Sequence, residues 1–132
     1  MKKILFAMMA CVALFAFTAC EKTNSQIFDL AYDETTGDQA EKTAYELEYK
    51  GIFIEELGKV STIVTESQTT FKIDGKKTSA QKTMKAAFQT AGEKAQAKAG
   101  DNSIMKGFKV LLKYNEAGEE KNQEIIDSFT FK

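Results

Sequence analysis

Apolar and polar residues alternate along several segments of this chain, and a period of two predicts β-strands with one buried face. Phe28, Leu30 and Tyr32 form the apolar face of the first predicted strand. The polar segment 33–42 that follows is predicted to be a loop. In the second predicted strand, the apolar face consists of Tyr45, Leu47, Tyr49 and Phe53. Strands that leave one face in water are typical of an antiparallel sheet.

Residues 57–71 support two interpretations. Gly58-Lys59 fits a two-residue hairpin turn, and the β-branched residues after it favour a strand. The alternative is a helix, because one helical face would hold Leu57, Val60, Val64 and Phe71. We favour the strand, although the pattern leaves the choice open.

One segment has clear helical spacing. Asp74-Gly75 is predicted to form a turn before it, and Thr78 to open the helix with Gln81 in a capping box. Gly100 lies just after the expected end, where glycine commonly caps a helix. The apolar face consists of Ala80, Met84, Ala87, Phe88, Ala91 and Ala95. These mostly small side chains would let the helix lie close to a sheet.

The last segment predicts a β-hairpin with its turn at Ala117-Gly118, which sets Val110 opposite Ile125. One face of this hairpin is apolar and consists of Ile104, Phe108, Val110, Leu112, Tyr114, Phe129 and Phe131. Lys106 and Asp127 interrupt it. They either form a diagonal cross-strand ion pair or mark an edge or a bulge. Together the elements predict an α+β fold in which an antiparallel, curved sheet packs against one main helix.

The first twenty residues have the pattern of an export signal. Lys2 and Lys3 precede an apolar run, residues 4–17, that is shorter than the roughly 20 residues a membrane-spanning helix needs. The run ends in Phe17-Thr18-Ala19-Cys20, which resembles the lipobox of bacterial lipoproteins. That resemblance implies cleavage before Cys20 and a lipid on its thiol. The simpler alternative is a secreted protein in which this cysteine is incidental.

The lipobox divides the chain into three predicted parts. Residues 1–19 are the lipoprotein signal peptide, residues 20–26 the lipidated cysteine and a polar tether, and residues 27–132 a single globular domain. Glu21, rather than Asp, follows the cysteine. By resemblance to enteric lipoproteins, this implies the outer membrane of a Gram-negative cell envelope. The periplasmic face is slightly favoured over the cell surface.

The composition narrows the possible chemistry. The chain has no His, Arg, Trp or Pro, and Cys20 is the one cysteine left after cleavage. Without His or a second Cys, a structural zinc site is nearly excluded and no imidazole is present for general-base work. The lack of arginine and the balance of 18 lysines against 19 acidic residues disfavour nucleic-acid binding. We therefore expect no cofactor, no metal and no nucleic acid.

Ser79-Ala80-Gln81-Lys82 matches the S-x-x-K motif of penicillin-recognising serine enzymes, in which the lysine takes the serine proton. The chain lacks their S-D-N and K-T-G motifs and is too short for their fold, so helix capping is the simpler interpretation. Gly75-Lys76-Lys77-Thr78 departs twice from the phosphate-loop pattern. A turn before a helix explains it better.

Two further groups of residues have a functional and a simpler interpretation. Asp33, Glu34 and Asp38 could hold a calcium ion, but they lack EF-hand spacing, and a solvated loop is simpler. An aromatic strip that could stack on sugars or bases is more simply core, and it consists of Tyr45, Tyr49 and Phe53.

We expect a non-enzymatic envelope lipoprotein with a binding or structural role, which touches the membrane through Cys20 and has an envelope protein as its candidate partner. One alternative is a small serine hydrolase using Ser79 and Lys82. Another is a secreted inhibitor or recognition module. The residues leave the ligand, the protein partner and the oligomeric state open.

Overall fold

The computed structural model describes residues 23–64, 66, 68–101, 104–117 and 119–132. The strands are β1 Thr23–Tyr32, β2 Thr62–Ile63, β3 Thr70–Lys76, β4 Lys109–Glu116 and β5 Glu124–Thr130. The helices are α1 Gln39–Ala44, α2 Lys50–Gly58 and α3 Lys77–Ala99, with a π-helical stretch Tyr45–Tyr49 between α1 and α2 and a 3-10 turn Glu120–Asn122. The predicted signal peptide, residues 1–19, and Cys20 lie outside the described residues.

The five strands form one antiparallel sheet in the order β2-β3-β1-β4-β5, and the α+β prediction is confirmed. β1 is the central strand, in which Phe28 pairs with Phe71 on β3 and with Tyr114 on β4. Phe28 and Leu30 are buried in the core and Tyr32 is half-buried, as the alternation predicts.

The predicted tether is wrong over its second half, because residues 23–26 already belong to β1. The reason is that the polar side chains here find partners inside the sheet. Gln26 is fully buried, and its Nε2 donates to the carbonyl oxygen of Gly75 at 2.9 Å. Its Oε1 accepts from the hydroxyl of Tyr114 at 2.5 Å.

The predicted strand over residues 45–53 is also wrong, since this segment is helical. Asp38 caps α1 by accepting from the backbone N–H of Glu41, and the Glu41 side chain accepts from the backbone N–H of Asp38. This capping box lies inside the segment that we predicted to be a loop. Leu47, which the strand would have buried, is 79% exposed. The buried apolar residues instead recur every four positions and are Tyr45, Tyr49, Phe53 and Leu57.

A spacing of four explains the error, because it satisfies both the period of a strand and one turn of a helix. It is slightly longer than the 3.6 residues of an α-helical turn, so a stripe of this spacing drifts around the helix. The wider π-helical turn between Tyr45 and Tyr49 counteracts that drift. It keeps both tyrosines on the buried side.

Neither interpretation of residues 57–71 holds throughout. α2 continues to Gly58 and Lys59 is its C-cap, so the predicted hairpin turn is wrong. Among the residues of this segment that the structure describes, Thr62–Ile63 and those from Thr70 onward are strand.

The predicted face of α3 is confirmed and its predicted start is wrong. Asp74-Gly75 continues β3 instead of turning, and the N-cap is Lys76, so Thr78 and Gln81 do not open the helix. Ala80, Met84, Phe88, Ala91 and Ala95 are buried, and Gly92 is buried with them. Gly100 caps the helix with a φ of +72°, as predicted.

The terminal hairpin forms with a different register from the predicted one. Val110 lies opposite Phe129 rather than Ile125. β4 continues to Glu116 and β5 begins at Glu124, with the 3-10 turn Glu120–Asn122 between them; Gly118 of the predicted turn lies outside the described residues. The pairing shifts between Leu112 and Lys113, directly beside the Leu112–Asp127 pair. Asp127 therefore marks a bulge. Lys106 lies before the start of β4 and is therefore not a diagonal cross-strand neighbour of Asp127.

Candidate functional site

A pocket of about 270 Å³ opens beside β1 at the point where β3 begins. The backbone N–H of Leu30 donates to the carbonyl oxygen of Thr69 at 2.9 Å, and beyond this bond β1 continues without β3 beside it. The π-helical stretch and the first residue of α2 contribute the other wall. We call this hollow the Tyr45 pocket, and its lining residues are Leu30, Ala31, Tyr32, Glu34, Tyr45, Glu46, Lys50, Thr69 and Lys113.

The edge of β1 that faces the pocket carries backbone hydrogen-bonding groups. Neighbouring residues of a strand direct these groups to opposite sides. Leu30 bonds toward β3, and the backbone N–H of Asp33 donates toward β4, to the carbonyl oxygen of Lys109, at 2.9 Å. By this alternation, the N–H and C=O of Tyr32 point to the side on which β3 is missing.

Tyr45 is 1% exposed, and its ring packs against those of Tyr32, Phe53 and Phe108 with centroid distances of 5.3 to 6.4 Å. Its hydroxyl is buried and has no hydrogen-bond partner among the described residues. Burial, followed by the charge of Glu46 and the phenol of Tyr32, raises the pKa of Tyr45. The hydroxyl is therefore protonated at neutral pH. Tyr45 lines the pocket together with Tyr32 and Glu46.

The charged residues around the pocket differ in how they are paired. Lys50 and Glu46 form an ion pair with an Nζ–Oε1 distance of 3.0 Å. Lys113 on β4 and Glu34 after β1 have no ion pair within the described part of the chain. A second hollow of about 340 Å³ shares Tyr32 and Glu46 with the pocket and extends along α1 to Leu47.

A groove of about 490 Å³ between α2 and α3 is the larger hollow, and its lining residues are Glu56, Lys59, Val60, Lys82, Thr83, Ala86, Ala87 and Thr90. Glu56 is buried, and its Oε2 accepts from Lys94 at 2.6 Å and from Lys59 at 2.9 Å. These two hydrogen bonds, the one from Lys94 first, hold the pKa of Glu56 below its usual value. The carboxylate thereby links the two helices.

No protein-family model, curated protein or solved structure matches this chain. Within the described part of the chain, no helix is long and apolar enough to cross a membrane. Across the same residues, no group of three His, Cys, Asp or Glu side chains could hold a metal ion. The function therefore has to be inferred from the geometry of the molecule itself.

The structure does not bring the other sequence candidates together into a site. Ser79 and Lys82 are both exposed at the start of α3, and Ser79 lies outside the groove that Lys82 lines. Asp33 accepts from the backbone N–H and the hydroxyl of Thr35, which lower its pKa, and Asp38 caps α1. The aromatic strip is core, as its simpler interpretation predicts.

Sequence reasoning missed the Tyr45 pocket. Its residues come from four separate segments, and they meet only because β3 begins where β1 still continues. The capping box of Asp38 and Glu41 was the one local signal that would have placed Tyr45 on a helix.

Proposed function

We propose that this chain is an envelope lipoprotein, anchored through Cys20, that acts as a non-enzymatic binding module. The lipobox Phe17-Thr18-Ala19-Cys20 supports the anchor. One observation carries the binding role, namely that Tyr45 lines a pocket and has a buried hydroxyl without a partner among the described residues. Polar groups that a fold buries are normally satisfied, and an exception calls for an explanation. A ligand that completes the hydrogen bond supplies one.

The position of β1 supports a defined orientation on the membrane. Only Glu21 and Lys22 separate Cys20 from the first residue of β1. The strand then continues to Tyr32 over a length of roughly 30 Å, at about 3.3 Å per residue. The Tyr45 pocket is therefore at the end of β1 remote from the anchor. In the outer membrane, with the domain on the periplasmic side, the pocket would face away from the lipid.

The anchor is tested by growing cells that express the full chain with an alkyne-tagged palmitate. We expect the label on the wild-type protein in the membrane fraction, and no label on Cys20→Ala. Equal labelling of both forms, or none of the wild type, would contradict the anchor. Acyl chains on Cys20 would hold the protein on the membrane. We therefore also expect Cys20→Ala to leave the membrane fraction when the cells are fractionated.

The binding role is tested in the same cells with a photoreactive phenylalanine at one of two exposed positions. Glu34 lines the Tyr45 pocket, and Thr83 lines the groove between α2 and α3. We expect a discrete adduct from position 34 and none from position 83, with mass spectrometry identifying the captured molecule. An adduct from position 83 alone would move the binding site to the groove.

A further inference from the structure

We propose that the Tyr45 pocket binds the carboxylate group of a small ligand, supplied by a free acid or by the C-terminal residue of a peptide chain. This inference rests on the proposed binding role, and it does not depend on the lipid anchor. Three features of the described residues lead to it: a donor without an acceptor, a cation without a counter-ion and an unpaired strand edge.

The donor is the hydroxyl of Tyr45, which is buried and has no partner among the described residues. A buried hydroxyl without a hydrogen bond loses its interaction with water and gains nothing in return. Because the phenol stays protonated, it has a proton to donate and requires an acceptor. A carboxylate oxygen is the strongest such acceptor, since an O–H donor and an ionised acceptor form a short, charge-assisted bond.

The cation is Lys113 on β4, which lines the pocket from the face of the sheet opposite Leu30 and Tyr32 and has no ion pair among the described residues. Lys50 lines it too, but Glu46 already neutralises its charge at 3.0 Å. Glu34 carries the opposing negative charge. It is exposed, so solvent and salt screen it more than they screen a partly buried group. The uncompensated charge on the half-buried wall is positive.

The unpaired edge favours a peptide as the source of the carboxylate. The N–H and C=O of Tyr32 point to the side where β3 is missing, and an extended peptide can bond to such an edge as an added strand. Leu30 and Ala31 provide apolar lining for a small side chain. The volume of about 270 Å³ lies just below the roughly 300–1,000 Å³ of pockets for drug-sized ligands. It suits a small acid or the end of a chain.

The experiment uses the full-length lipoprotein in detergent micelles, with carbon-13 in its tyrosine rings. The chain has four tyrosines, so each ring can be followed by NMR. The probes are acetate, tri-alanine and tri-alanine amide. We expect tri-alanine to shift the Tyr45 signal saturably, while the Tyr49 and Tyr114 signals stay in place. The amide, which lacks the carboxylate, should bind at least about tenfold more weakly, as expected for the loss of a charge-assisted bond.

The comparison of acetate with tri-alanine identifies the source of the carboxylate. Saturation by both probes at similar concentrations supports a free acid. Saturation by tri-alanine alone supports a chain end that also bonds to the backbone of Tyr32. Both outcomes support a carboxylate site. Equal binding of the amide overturns it, and so does the absence of a saturable shift, which would leave an ordered water as the partner of the hydroxyl.

Two variants assign the binding to the proposed groups. Tyr45→Phe removes the donor and Lys113→Gln removes the cation, and each should weaken tri-alanine binding about tenfold or more. The matched control is Lys109→Gln, on the same strand and the same side of the sheet but outside the pocket. Undiminished binding by Tyr45→Phe contradicts the proposal. A negative result with these probes would not remove a photo-crosslinked adduct from position 34. The two experiments therefore test the ligand class and the binding role separately.

Discussion

The Tyr45 pocket and the groove between α2 and α3 share one contributor, the helical segment from Tyr45 to Gly58. Their buried polar groups differ in whether they have hydrogen-bond partners. In the groove, Glu56 is buried, and its carboxylate accepts from Lys94 and Lys59. In the pocket, Tyr45 is more deeply buried, and its hydroxyl has no partner among the described residues. The larger hollow is thus the one whose buried polar group already has its hydrogen-bond partners.

This difference separates a structural role from a binding role. A buried carboxylate that two lysines satisfy stabilises the contact between its helices and has little need of a ligand. A buried donor without an acceptor lowers stability unless something else bonds to it. Residues of this kind, held in a pocket and with a shifted pKa, are candidates for function on physical grounds. Size alone would have selected the groove, where the buried carboxylate already has its partners.

The largest expected effect comes from the aromatic core against which Tyr45 packs. Phe53 is fully buried and packs against Tyr45 on one side and Phe88 on the other, with centroid distances of 6.4 and 5.4 Å. We expect Phe53→Ala to lower the free energy of unfolding by about 3–5 kcal/mol, because it leaves a cavity in the core. Denaturant titration measures it. The control, Leu47→Ala, removes an exposed side chain and should change stability by less than about 0.5 kcal/mol.

Glu56→Gln removes the carboxylate charge in the groove and leaves the Tyr45 pocket unchanged. We expect a loss of stability at pH 7 that is smaller than the loss for Phe53→Ala, because the helices keep their apolar contact. The pKa of Glu56 is lowered in the folded state, so its contribution is complete above the ordinary value of 4.5. It disappears as the pH falls through the lower folded value.

The wild type and Glu56→Gln should therefore converge in stability below pH 4.5 and differ above it. Thermal unfolding between pH 3 and 7 tests this, with Glu93→Gln as the exposed control on α3. A constant difference across that range would mean that the carboxylate charge is not what links α2 to α3.

Most core mutations lower the free energy of unfolding, whereas we expect Tyr45→Phe to raise it or leave it unchanged. Removing a buried hydroxyl without a partner should leave the protein at least as stable as the wild type, with a gain of about 1 kcal/mol. The matched control is Tyr114→Phe, whose hydroxyl donates to buried Gln26 at 2.5 Å and whose loss should cost about 1 kcal/mol. If both variants lose stability equally, the two hydroxyls are equally satisfied and the contrast fails.

The smallest effect concerns the serine motif. Ser79 is exposed on the first turn of α3, so Ser79→Ala should change stability by less than about 0.5 kcal/mol. Hydrolysis of a chromogenic ester by the purified lipoprotein provides the second readout. An activity that this variant loses while staying folded would restore the hydrolase alternative.

α3 was predictable because its buried residues are spaced irregularly. The steps from Phe88 to Ala91 and from Gly92 to Ala95 are odd, and no strand places such residues on one face. In the segment from Tyr45 to Leu57 the steps between the buried apolar residues are all four, a spacing that a strand also satisfies. Exposed Leu47 decides between the two, and its exposure is not visible in the pattern.

The register of the last hairpin and the Tyr45 pocket escaped prediction for a related reason. The bulge beside Leu112 and the long connection before β5 depend on packing across the sheet rather than on turn residues. The pocket depends on where β3 begins relative to β1, a relation between distant segments. Lys113 has no local feature that marks it as a site residue.

The central claim is that the Tyr45 hydroxyl is an unsatisfied donor reserved for a ligand. The most direct test measures the free energy of unfolding of the wild type and of Tyr45→Phe, each with and without saturating tri-alanine. A ligand that binds only the folded state stabilises it by an amount that grows with concentration over Kd. We expect the variant to be at least as stable as the wild type without the peptide, and only the wild type to gain stability with it. A variant that is less stable without the peptide, or that gains as much from it as the wild type, would contradict a ligand-binding role of the hydroxyl.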